Sequence, residues 1–161
     1  MALNETNWAG NYDYRAERIH RPKTVDEVQE LVVGCRKVKA LGTRHSFNDI
    51  ADTGEDLISL ENFDQVVSLD RERRTVMVEG GITYGQLCQY LAGEGYALRN
   101  MASLPHISVA GACATATHGS GDKNQILSAN VARPHLLIIV LISRPLRGIQ
   151  ISLNFLLVYS L

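Results

Sequence analysis

The sequence predicts an α+β fold with α/β character in its first half, on three observations. A capped amphipathic helix feeds directly into a short strand ("RPKTVDEVQELVVGCRK" then "KVKALG"). A strand–turn–strand pattern follows in "DQVVSLDRERRTVMVEGG". Helical and extended segments then alternate without the strict order of a doubly wound sheet.

In chain order, Thr24 is placed to cap the first helix, and Glu27 three residues on completes a capping-box spacing. Val25, Val28, Leu31, Val32 and Cys35 then share one helical face. "KVKALG" reads as a strand ending at the loop "LGTRHSFNDI", and "DLISL" as another short strand. Val76 and Val78 alternate with Thr75, Met77 and Glu79, as in a half-buried strand. "TYGQLCQYLAGEG" reads as a second helix, with Thr83 as cap, Leu87, Tyr90 and Leu91 as inner face, and Gly93 or Gly95 as stop.

The formal net charge of the 161 residues is -1, so nothing points to nucleic acid or an anionic membrane as partner. Cys35, Cys88 and Cys113 form neither a CxxC nor a disulfide framework, which fits a reducing compartment. The polar start lacks the apolar core of a signal peptide, and a cytoplasmic location is expected. Beyond Asp122 there is no acidic residue, and "HLLIIVLI" and "ISLNFLLVYSL" are each too short for a membrane span. Two readings of that tail stand: buried strands, or a non-native frame that packs irregularly. Residues 131–161 are therefore set apart from 6–130.

Two loops attract attention. "GTRHSFN" puts a histidine where neither a helix face nor a strand face requires one. "NMASLPHISVAGACATATHGSG" is dense in small residues, suited either to close approach of a ligand or to tight packing. It is neither a GxGxxG turn nor a Walker loop. His20 and His135 read as ordinary surface or core histidines, and composition alone leaves His45, His106 and His118 unassigned. No two histidines have HxxxH or HExxH spacing, so no metal site is expected.

The pieces "TNWAGNYDY", "RPKTVDEVQELV", "VKALGTRHSFNDIADT", "VEGGITYGQL" and "NMASLPHISVAGACATATHGSG" occur in the order in which they occur in flavoproteins of the vanillyl-alcohol-oxidase type. Within that type the chain resembles the alditol (xylitol) oxidases. The resemblance implies a two-lobed PCMH-type FAD-binding domain, with the second lobe incomplete here and the family's separate substrate domain absent. It implies FAD bonded covalently through His45, with Gly42, Thr43, Arg44 and Ser46 around the pyrophosphate. Arg44 stands where the family often has glycine, and would either pair with a phosphate or point to solvent. Ser103 would lie by the flavin ring and substrate as the catalytic candidate, and Ser108, Gly111, Thr115, Thr117 and His118 match further FAD contacts. The implied reaction oxidises the terminal alcohol of a small polyol to an aldehyde and reduces dioxygen to hydrogen peroxide, with this chain inactive as it stands. A non-catalytic FAD-binding remnant and a relative of the sugar-1,4-lactone oxidases are the alternatives.

Overall fold

The computed structural model describes residues 5–98, 100–130 and 137–141. The chain divides into two compact units between Asn62 and Phe63.

The first unit is built on a parallel three-stranded sheet. Strand β1 (Arg18–His20) leads into helix α1 (Val25–Gly34), which returns to β2 (Val38–Leu41), and β3 (Asp56–Ser59) inserts between them in the order β1-β3-β2. Parallel strands need crossovers: α1 joins β1 to β2, and the segment 42–55 joins β2 to its neighbour β3. All four residues of the central β3 are buried. Tyr14, Ala16, Leu41 and Leu57 form the core of this unit, with Tyr12, Ile19 and Ala51 packed against it. Thr24 caps α1 by accepting from the Glu27 amide, as expected. Glu27 does not close a reciprocal box, because its carboxylate instead accepts from the Lys23 amide at 2.6 Å. The apolar face of α1 buries at its centre: Val28 is buried, Leu31 and Val32 are half-buried, and Val25 is 44% exposed.

The second unit carries an antiparallel sheet of β4 (Val66–Asp70), β5 (Thr75–Glu79) and β6 (Leu137–Leu141), with β5 central. The charged turn between β4 and β5 is organised by Asp70, whose Oδ1 accepts from the amides of Glu72 and Arg73. Val76 and Val78 are fully buried while Thr75, Met77 and Glu79 are half-buried, matching the alternation in the sequence. Helix α2 (Tyr84–Gly93) starts with a full capping box, Thr83 and Gln86 each bonding the other's backbone amide. Leu87 and Leu91 are fully buried, as is Tyr84, which the sequence did not single out. Gly95 takes the left-handed conformation after the helix, at φ +76°.

Two findings depart from the sequence reading. The small-residue stretch contains a helix, α3 (Val109–Ala114), capped by Ser108 and burying Val109, Ala112 and Cys113. Six residues are too few to register as a periodic pattern. In the apolar tail, Leu137–Leu141 pair with β5 along its full length, from Thr75↔Leu141 to Glu79↔Leu137. These five residues form a regular strand and do not pack irregularly, because β5 has an edge free to take a third strand. The rest of the tail lies outside the described residues.

Candidate functional site

The histidine loop follows the carboxyl end of β2, the end of a parallel sheet where ligand-binding loops sit. Gly42 is exposed and leads into Thr43, which is half-buried. Arg44 adopts φ +62°, a left-handed conformation that costs a side chain about 1–2 kcal/mol and that glycine takes freely. That strain is the physical reason a glycine suits this position. The Arg44 guanidinium neither stands alone nor points freely outward. It is ion-paired with Glu5, so a phosphate would compete with that carboxylate.

His45 is half-buried and held on two sides. Its Nδ1 lies 2.8 Å from the Thr43 carbonyl and 3.2 Å from the Thr43 hydroxyl. A carbonyl only accepts, so Nδ1 carries the proton and the basic lone pair of the neutral ring lies on Nε2. Trp8 stacks on the imidazole with centroids 5.0 Å apart and planes inclined by 24°.

The segment before β1 fixes this loop from outside. Asn7, 2% exposed, donates from Nδ2 to the Ser46 carbonyl at 3.0 Å and to Asn11 Oδ1 at 2.8 Å. Its Oδ1 accepts from the amides of Asn11 and Tyr12. The Trp8 amide donates to the Arg44 carbonyl at 2.9 Å. Behind these, the buried Asp52 carboxylate accepts from the Tyr12 hydroxyl at 2.7 Å and from Arg15 Nε at 2.9 Å. Burial pushes the Asp52 carboxyl up, but hydrogen bonds from Arg15, Tyr12 and the Thr53 amide outweigh it and hold the group below the usual carboxylate range. Asn7, Trp8, Tyr12 and Asp52 carried no assigned role in the sequence. The available signal was that "TNWAGNYDY" and "NDIADT" flank the histidine loop within the pieces of family resemblance.

In the second unit, four of the expected residues come together around α3. Ser108 is buried and its hydroxyl accepts from the Gly111 amide at 3.3 Å. Thr115 donates to the Gly111 carbonyl at 3.2 Å, and its hydroxyl lies 3.1 Å from that of Thr117. Ala116 between the two threonines is left-handed, at φ +52°. His118 is exposed, with Nδ1 3.0 Å from the Gly119 carbonyl, and Ser103 is exposed before the helix. Two of the glycines here are closely packed. A Cβ on Gly111 would stand 2.8 Å from Ser108 Oγ, and one on Gly119 only 2.1 Å from Asn100 Oδ1.

The first unit offers an oriented imidazole, and the second, by itself, offers hydroxyls beside closely packed glycines. A family model described as an FAD binding domain matches residues 16–135, and the chain belongs to that family. It is 45% identical to an alditol oxidase from a Streptomyces species over 139 residues, 84% of this chain and 34% of that protein. It is 35% identical to the L-gulonolactone oxidase of Mus musculus over 129 residues, 78% of this chain and 29% of that protein. Among solved structures, an alkyldihydroxyacetonephosphate synthase superposes with a TM-score of 0.61 at 21% identity, over 69% of this chain and 23% of the other, a likeness of fold alone. The chain spans about a third of the length of these curated relatives, 34% and 29%. Among the described residues, no helix is long and apolar enough to cross a membrane.

Proposed function

We propose that this chain is the FAD-holding part of a polyol oxidase of the alditol oxidase type, and that His45 is its point of covalent flavin attachment. The observation that carries the attachment is the way His45 is held. Its Nδ1 proton is fixed on Thr43 and its ring is stacked on Trp8, so a nitrogen lone pair is presented in one orientation. A neutral imidazole is a competent nucleophile near pH 7. When bound, FAD supplies the hydride acceptor and the centre at which dioxygen is reduced. The chain's own part is to hold and orient it. Gly42, Thr43, Arg44 and Ser46 form the loop assigned to the pyrophosphate. Ser108, Gly111, Thr115, Thr117 and His118 are assigned further FAD contacts, and Ser103 the position nearest substrate. The greater identity to an alditol oxidase, 45% against 35% for the lactone oxidase, favours the polyol over the lactone reading.

The test is acid precipitation of the flavin-loaded chain. Yellow colour should stay with the polypeptide, on a peptide containing His45, and His45→Ala should release it. Complete release from the parent chain would refute the covalent link. The chain by itself should produce negligible peroxide from xylitol or sorbitol, since it corresponds to about a third of its relatives' length. Steady FAD-dependent peroxide from the purified chain would overturn that expectation.

A further inference from the structure

Away from the histidine loop, the first unit gathers three side chains of different chemistry from three elements. His20 ends β1, Cys35 caps the carboxyl end of α1, and Asp56 opens β3. One ligand atom from each, an imidazole nitrogen, the thiol sulfur and a carboxylate oxygen, lie within 4.8 Å of one another. Asp56 is 1% exposed, and its Oδ1 is 2.7 Å from His20 Nε2. The Cys35 sulfur lies within 4.8 Å of the same carboxylate. His20 and Cys35 line an open groove of about 530 Å³ whose rim includes Glu27 and Glu30. Asp56 and Val38 pair at the amino-terminal end of the sheet, whereas the His45 loop leaves from its carboxyl end.

We propose that His20, Cys35 and Asp56 form a binding site for a borderline-soft divalent cation of the zinc type, which staples α1 to the sheet. Mixed N, S and O donors are the set that zinc and cobalt accept, and three protein ligands leave a fourth position open to the groove. In the metal-free arrangement Arg18 pairs with Asp56, with Nε at 2.8 Å and Nη2 at 3.0 Å. Binding exchanges partners. The cation takes the carboxylate, the thiolate and an imidazole nitrogen of His20, and the Cys35 proton leaves to solvent. Arg18 turns outward, and its side chain is already 65% exposed. Oxygen-seeking Mg²⁺ and Ca²⁺ do not suit this donor set.

Cobalt titration of the purified full chain tests the site. One equivalent of Co²⁺ should give the near-ultraviolet thiolate-to-cobalt charge-transfer band, and Zn²⁺ should bleach it while Mg²⁺ does not. Cys35→Ser should abolish the band, Cys88→Ser should leave it, and His20→Gln should weaken binding. On the unmodified chain, Zn²⁺ should protect the Cys35 peptide from alkylation, read by mass spectrometry. Absence of both the band and the protection, or a band that persists in Cys35→Ser, would overturn the proposal.

Discussion

Replacing Asn7 by alanine tests whether the amino-terminal segment holds the histidine loop in place. The Asn7 side chain makes four hydrogen bonds, and only its donation to the Ser46 carbonyl reaches the loop directly. A typical intramolecular bond contributes about 0.5–1.5 kcal/mol net, so four have a ceiling of roughly 6 kcal/mol. The real loss is smaller. Asn11 is exposed and Tyr12 half-buried, so water can reach their freed amides. The Ser46 carbonyl and the space vacated by a side chain only 2% exposed account for most of the cost. The expected destabilisation is about 2–3 kcal/mol, measured by urea unfolding of the full chain. Asn7→Asp should cost at least as much despite its matching shape. It retains the acceptor but sets a carboxylate against the Ser46 carbonyl and Asn11 Oδ1, both of which need a donor. In flavin-loaded protein, either variant should lower the covalently bound fraction, because Ser46 adjoins His45. A loss below about 0.5 kcal/mol for Asn7→Ala would show that water replaces all four bonds, and that the segment does not hold the loop.

Three further outcomes follow from the same geometry. Arg44→Gly should leave stability within about 1 kcal/mol of the parent, because relief of the left-handed strain offsets the lost Glu5 pair and the looser unfolded chain, whereas Arg44→Val should be clearly destabilised; urea midpoints compare the two. Leu87→Ala, at a fully buried position on α2, should cost about 2–5 kcal/mol by the same assay. Because the folded pKa of Asp52 is depressed, its stabilisation is fully present above the unfolded value of about 4 and is lost as pH falls through the folded value. The stability gap between the parent and Asp52→Asn should therefore be widest near neutrality and narrow in acid, and a gap independent of pH would contradict the charged role of Asp52.

Much of the fold was legible in the sequence because it rests on local chemistry. Thr24 and Thr83 cap the helices they were expected to cap, since a side-chain oxygen three residues before a free amide is a local relation. The Val76/Val78 alternation and the Asp70 turn are local in the same way. The family resemblance singled out the His45 loop, which periodicity alone left unassigned. Tertiary structure decided what depends on residues far apart in the chain. Asn7 reaches Ser46 across 39 positions, and Tyr12 reaches Asp52 across 40, so no motif spacing connects them. Arg44 holds its left-handed conformation while bonded to the Trp8 amide and the Glu5 carboxylate, and no propensity records those contacts. His20 read as an ordinary histidine, and no metal-ligand spacing was present. Its neighbours Cys35 and Asp56 are 15 and 36 positions away, brought to it only when a crossover helix and a central parallel strand set three chain ends side by side.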